Sequence, residues 1–214
     1  MQSKQTQIPI FPLSLVVFPG ESLNLHIFEK RYKLLVNECL SSGIDFGIPC
    51  YIDGKIGNYG TCVKIDQIDR VYTNGEMDIK TIGTQSFKIN EIFSPNDKDK
   101  YAKANVEWRE IIQNGSDVLK RKIYELTQTL HKFLGIEADQ LEPIEKFDLH
   151  KVIHIVGLKL QQEYKFLQMK DELSRQEFLL RHLKGILPIV EETEHIKRKI
   201  QSNGHFKNII PPNF

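Results

Sequence analysis

The chain is poor in the groups that cross-link, anchor or strongly polarise a protein. Its 214 residues hold three cysteines, Cys39, Cys50 and Cys62, with no CxxC pair. An odd, widely spaced set excludes a fully paired disulfide framework and a cysteine-built zinc site, leaving buried reduced thiols as the expectation. No stretch approaches eighteen consecutive apolar residues, so no spanning helix and no membrane partner is expected. The opening MQSKQTQ has neither an apolar signal core nor a lipobox-like cysteine, which predicts a cytoplasmic protein. An excess of one charge is also missing. The 29 basic and 28 acidic side chains leave a net charge of +1, without the bias of a dedicated nucleic-acid binder. There is no internal repeat and no low-complexity tract. Hydrophobic content of 40% and charged content of 27% are those of a globular chain long enough to bury a core.

What is present is concentrated between Ile8 and Tyr32. Two extended apolar segments meet at Phe18-Pro19-Gly20, where proline presets the first central turn position and glycine accepts the positive φ of the second. Leu23, Leu25 and Ile27 then alternate with Ser22, Asn24 and His26, the period of a half-buried strand. From Tyr32 the period changes: Tyr32, Leu35, Val36, Cys39 and Leu40 form a helical stripe, and Gly43 stands where a helix would stop. A strand, a turn, a strand and a helix are thus predicted within about forty residues.

Further along, Asp45 to Pro49 reads as a short strand that proline confines to an edge. Asp53-Gly54 and Asn74-Gly75 are hairpin turns, and Gly57 to Gly60 reads as loose. Strands are expected from Thr61 to Arg70 and from Glu76 to Ile82, with a break or bulge at Gly83 before Phe87 and Ile89 resume the pattern. Ser94 to Lys100 is a solvated loop, and Tyr101 to Trp108 a last strand. From Ser116, a predicted N-cap, the periodicity is helical to Gly135. A second helical pattern covers Phe147 to Lys170, with Gly157 a weak point. Ser174 to Glu177 reads as a capping box opening a third helix, which Pro188 would kink or restart. The tail ending in Pro211-Pro212-Asn213-Phe214 is expected to be loosely held.

Ile10-Phe11-Pro12-Leu13, then Val17-Phe18-Pro19-Gly20, then Leu23-x-Leu25-His26-Ile27-Phe28-Glu29-x-Arg31-Tyr32 resembles the opening of the Lon protease amino-terminal, or LON substrate-binding, domain. Gly60-Thr61, Asn74-Gly75, the Gly83-to-Phe87 segment and Tyr101-Ala102 continue the likeness. Lys30 stands where the family often has proline, and Ser86 replaces its usual arginine. The helical half is similar more loosely, through Lys165-Phe166-Leu167, Arg175 and Leu179-Leu180-x-x-Leu183. The resemblance implies an α+β chain: a PUA-like, mainly antiparallel β-barrel or sheet domain with one early helix over 1–110, followed by a C-terminal helical bundle over 111–214. It implies a stand-alone LON-domain protein without ATPase or protease modules.

No catalytic constellation is evident. The phosphate loop GxxxxGK[ST] does not occur, since Gly83-Thr84-Gln85-Ser86 lacks the second glycine and the lysine. Ser86 and Lys88 are two apart on one strand face, which ordinary strand patterning explains without a nucleophile-base pair. His150 and His154 are four apart on a predicted helix, a spacing that can ligate one metal. Lys151, where a zincin has glutamate, repels a cation, and no third ligand is evident. The basic runs Lys120-Arg121-Lys122 and Lys197-Arg198-Lys199 have acidic neighbours and read as solvated helix faces. No enzyme activity, metal or cofactor is therefore expected.

The expected function is non-catalytic recognition of an unfolded or extended polypeptide, or of a protease partner, in ATP-dependent proteolysis or protein quality control. Binding would use a sheet edge, with Asp45 to Pro49 the edge candidate, or an apolar groove. Candidate contact residues are Phe18, His26, Phe28, Arg31, Tyr32, Phe46 and Ile48. The alternative is an RNA-binding accessory protein using the PUA-like fold, against which the balanced charge and Ser86 count. Oligomeric state is not set by the sequence.

Overall fold

A computed structural model describes residues 6–95, 97, 100–136 and 141–204, the last four of these by backbone alone. The expectations for the Pro211–Phe214 tail, for the MQSKQTQ opening and for parts of the Ser94 and Asp139 connectors lie wholly or partly outside the described residues. By its contacts the chain divides into two compact units, one of residues 1–113 with 157–172, the other of 114–156 with 173–214. The expected α+β class holds.

The first unit is an antiparallel sheet of six strands: β1 (Thr6–Pro9), β2 (Ser22–Ile27), β3 (Phe46–Ile52), β4 (Lys55–Val71), β5 (Met77–Phe93) and β6 (Lys103–Trp108). The strand path is β1-β6-β5-β4-β3, with β2 joined to β5 off the path. One turn matches the sequence expectation and one segment differs from it. The Phe18-Pro19-Gly20 turn forms, with Gly20 at φ 82° and the Glu21 N–H donating to the Phe18 carbonyl at 3.1 Å. The strands before and after it pair elsewhere, β1 with β6 and β2 with β5. Gly57 to Gly60 is not loose but lies inside the 17-residue β4. Its glycines mark close approach: a Cβ on Gly60 would stand 2.5 Å from the Ile48 carbonyl oxygen, and one on Gly57 2.5 Å from the Tyr164 hydroxyl.

Gly83 shows the same crowding. Strand β5 continues past it with the expected bulge, since Val63 pairs with Gly83 and Thr61 with Ser86, and the turn is clamped there by two backbone hydrogen bonds of 2.8 Å, Gly20 N–H to the Gly83 carbonyl and Gly83 N–H to the Glu21 carbonyl.

Helix α1 (Lys30–Ser42) ends at Gly43 with φ 64°, as its sequence predicts. Tyr32, Leu35, Val36 and Cys39 are its buried stripe and pack on Ile27, Met77 and Ile79 of the sheet. A second cluster gathers Ile8, Ile10, Cys62, Phe87 and Val106.

Helix α4 (Leu160–Gln168) belongs to this unit, although the sequence groups it with the helices. Phe166 meets Phe18 edge-on with ring centroids 5.7 Å apart. The Tyr59 N–H donates to the Tyr164 hydroxyl at 3.2 Å. Arg109, stacked 4.9 Å above the Tyr59 ring, donates to the carbonyls of Leu167 and Gln168 at 2.6 and 2.7 Å. The guanidinium thus satisfies helix-end carbonyls and faces the negative end of the helix dipole.

The second unit contains α2 (Asp117–Leu134), the four-residue α3 (Leu149–Val152) and most of α5 (Glu172–Gly204). Ser116 caps α2, accepting the Leu119 N–H, and Gly135 closes it with φ 69°. The single helix expected from Phe147 to Lys170 is instead broken, because Gly157 takes φ 76° and turns the chain. The expected capping box at Ser174 does not form, since α5 begins two residues earlier. The Asn114 side chain caps that end by accepting the Leu173 N–H at 3.1 Å. Pro188 lies inside the continuous helix.

Candidate functional site

The expected edge at Asp45 to Pro49 is occupied. Ile10 and Leu13, just after β1, bridge in parallel to Gly47 and Cys50 of β3. Phe11 N–H donates to Gly47 at 2.8 Å, Leu13 N–H to Pro49 at 3.2 Å, and Tyr51 N–H to Leu13 at 2.7 Å. The path from β1 to β3 therefore closes on itself, and the edge is lost to any added strand.

Uncovered edges occur where the sheet extends beyond this closure. Strand β3 pairs with β4 only as far as Phe46 opposite Val63. From Lys64 to Val71, β4 pairs with β5 on one side and, among the described residues, with no strand on the other. Strand β2 likewise pairs, among the described residues, with β5 alone, from Ser22 opposite Ile82 to Ile27 opposite Met77, without a register shift. The three strands β2, β5 and β4 form an arm with two outer edges.

The two edges differ in chemistry. The six residues of β2, SLNLHI, carry no formal charge apart from a protonated His26. A regular, uncharged edge is the kind that accepts another strand. The β4 edge carries Lys64, Asp66, Asp69 and Arg70 and is bulged twice, at Ile65/Gln67 and Ile68/Arg70. Bulges and charges are the usual protection of an edge. The bulges also place Ile65, Ile68 and Val71 opposite Thr81, Ile79 and Met77, so all three face the core side of the sheet. Ile68 and Val71 are nevertheless 40% and 64% exposed.

At the end of the arm a polar cluster joins β2 to the β4–β5 hairpin. His26 Nδ1 lies 2.7 Å from an Asp78 oxygen, and Nε2 lies 3.4 Å from Glu76. The Tyr72 hydroxyl donates to the other Asp78 oxygen at 2.7 Å. The Asp78 hydrogen bond holds the imidazole pKa above its ordinary value, and the His26 and Tyr72 hydrogen bonds hold the Asp78 carboxyl below its own. The exposed Phe28 ring stacks beside His26 at 6.0 Å.

Of the seven residues singled out from sequence, His26, Phe28 and Arg31 are exposed, and His26 and Phe28 share this patch. Arg31 is paired with Glu29 at 2.8 Å and lies 4.6 Å over the Tyr32 ring. Phe18, Phe46 and Ile48 are completely or almost completely buried, and Tyr32 stacks on Phe11 at 3.8 Å in the core. Sequence reasoning missed Tyr72, Glu76, Asp78, Ile68 and Val71. The Asn74-Gly75 turn was their signal, since a hairpin brings its two flanks together.

No group of three or more His, Cys, Asp or Glu among the described residues is arranged to hold a metal. His150 Nε2 faces the Arg175 guanidinium at 2.7 Å, a cation where a second cation would have to sit. Ser86 is buried opposite Thr61 while Lys88 is exposed. Burial pushes the Cys39 and Cys62 thiols up to about 12 and the Cys50 thiol to about 11, which removes the nucleophilic thiolate at neutral pH. No helix among the described residues is long and apolar enough to cross a membrane.

Comparison with known proteins gives a consistent answer. The structure of a Lon N-terminal domain protein from Xanthomonas campestris is similar with a TM-score of 0.66 and 27% identity, covering 82% of this chain and 98% of that one. The N-terminal domain of Mycobacterium avium complex Lon protease has the same fold, with a TM-score of 0.66 at 14% identity, over 84% of this chain and 98% of that one. The family model described as the ATP-dependent protease La (LON) substrate-binding domain matches residues 7–186. The chain therefore belongs to the LON substrate-binding domain family.

Proposed function

We propose that this protein recognises extended or unfolded polypeptide, adding one segment of it as a strand along the outer edge of β2. The observation that carries this reading is an edge of six residues, unbulged, uncharged apart from His26, and ending at a 59% exposed phenylalanine. Backbone hydrogen bonds would supply affinity with little sequence preference, and Phe28 would give an apolar anchor beside the His26 ring. The family description as a substrate-binding domain supports the same reading. The role is that of a non-catalytic recognition or adaptor module, delivering polypeptide to an ATP-dependent protease in protein quality control.

Fluorescence anisotropy tests it, with a labelled, permanently unfolded polypeptide and a labelled structured RNA, each at low and moderate salt. Saturable, salt-tolerant polypeptide binding is expected, weakened several-fold by Phe28→Ala and by Asn24→Lys, which places charge on the edge. RNA binding that survives moderate salt would overturn the reading in favour of the RNA-binding alternative. Polypeptide binding unchanged in both variants would remove β2 as the site.

A further inference from the structure

The outer edge of β4 has a different character, and it points to a different occupant. We infer that this edge pairs with a second copy of the chain, antiparallel, about a two-fold axis through Ile68. The segment Ile65-Asp66-Gln67-Ile68-Asp69-Arg70-Val71 is complementary to itself in that register. Ile68 meets the copy's Ile68. Asp66 meets the copy's Arg70, and Arg70 the copy's Asp66. Ile65 meets the copy's Val71, and Val71 the copy's Ile65. A two-fold contact requires each such pair to occur twice, as the Asp66–Arg70 and Ile65–Val71 pairs do, while Asp69 meets the copy's neutral Gln67.

The faces agree as well. Residues directly opposite one another in an antiparallel pair lie on the same face of the sheet. Because of the two bulges, Ile65, Ile68 and Val71 share the core-side face, opposite Thr81, Ile79 and Met77. In the pairing their side chains make one unbroken apolar row with those of the copy. The pairing therefore covers Ile68 and Val71, which are exposed although they lie on the core side of the sheet. Arg70 stacks 4.7 Å over the Tyr72 ring and stands opposite Asp78 of its own chain, on the face of the sheet away from Ile68 and Val71.

The bulges and charges that turn away an arbitrary strand thus admit one strand in one register, which is specificity by exclusion. A contact of about seven residues a side falls below the usual size of a permanent interface, so the dimer is reversible and concentration-dependent. It uses the edge opposite to β2 and leaves the proposed polypeptide site open.

Sedimentation velocity of the full chain over a wide concentration range tests the inference. Association of the unmodified protein is expected to weaken by at least about tenfold in Arg70→Asp and in Asp66→Arg, each of which sets like charges opposite one another. An equimolar mixture of the two variants should recover it, because each then supplies the charge that the other lacks. Both positions are exposed, so the variants are expected to keep the unmodified protein's circular dichroism and Trp108 emission. A protein that stays monomeric at the highest concentration, reversals without effect, or a mixture that fails to recover association would each overturn the pairing.

Discussion

Replacing Gly83 by alanine adds one methyl group where the structure has no room for it. The new carbon would lie 2.3 Å from the Phe18 carbonyl oxygen and 3.1 Å from its carbonyl carbon, both main-chain atoms that no rotamer change can move aside. An ordinary carbon–oxygen contact needs about 3.3 Å, so strand and turn must separate by about 1 Å. The two hydrogen bonds that clamp them, each 2.8 Å, would then stretch beyond a useful length. Losing two buried backbone bonds costs about 2 kcal/mol, and overpacking adds about 1–3 kcal/mol. The expected destabilisation is therefore about 3–5 kcal/mol, a fall in Tm of roughly 10 °C for a chain of this size. Trp108, the one tryptophan, lies on β6 in the same unit with its ring 6.3 Å from Phe87, so its fluorescence reports this unit's unfolding. Gly185→Ala, in the second unit and so followed by far-UV circular dichroism, is the control, since nothing lies within 4 Å of its added carbon inside α5. There the same chemical change should stabilise by up to about 1 kcal/mol. A Gly83→Ala loss below about 1 kcal/mol, or equal signs at the two positions, would refute the reasoning.

Three further outcomes follow from the same geometry. The thiols of Cys39, Cys50 and Cys62, buried and pushed up to between about 11 and 12, should resist a thiol reagent in the native protein at pH 8 and all react in denaturant. By proton NMR, His26 should titrate above its ordinary 6.5, and Asp78→Asn should bring it down by removing the main hydrogen-bonding acceptor. Because the folded pKa is raised, this contact stabilises below the unfolded pKa and fades as pH rises through the folded one. His131 behaves in the opposite sense: it is 3% exposed, neither ring nitrogen has a hydrogen-bond partner among the described residues, and burial lowers its pKa. The protein should therefore lose stability as pH falls below about 6.5, and His131→Leu should flatten that dependence in urea midpoints measured between pH 7.5 and 5.5.

What could be read from the sequence was local. Helix α1 with Gly43, the alternation of β2, the two hairpin turns and the Ser116 cap each rest on residues within a few positions of one another, and each forms. The misreadings share the opposite property. Glycines 57 and 60 signal loops by composition, but here they clear space for Tyr164 and for the β3 backbone, partners fixed by tertiary packing. Ser174 to Glu177 has the letters of a capping box, yet Asn114 caps the helix from 59 residues away in sequence. At the candidate site, aromatic and aliphatic type did not separate inside from outside: Phe18 and Phe46 are buried while Phe28 is exposed. The triplet spacing of Ile65, Ile68 and Val71 resembles a helical period. Only the bulges, seen in the pairing with β5, turn it into one face of a strand.

The return of α4 to the sheet has a consequence for how the chain is made. Synthesis runs from the amino terminus, and the last strand is complete at Trp108, but the rings and carbonyls that meet Phe18, Tyr59 and Arg109 lie between Tyr164 and Gln168. Between the two, the ribosome must add all of α2 and α3. At about 5–20 residues per second, that interval lasts on the order of several seconds. For that time the nascent β-structure carries Phe18 without its Phe166 partner and an Arg109 with no helix end to cap. The sheet unit is thus finished only after α2 and α3 have been made, and until then the Phe18 ring and the Arg109 guanidinium wait for partners that lie beyond an intervening unit.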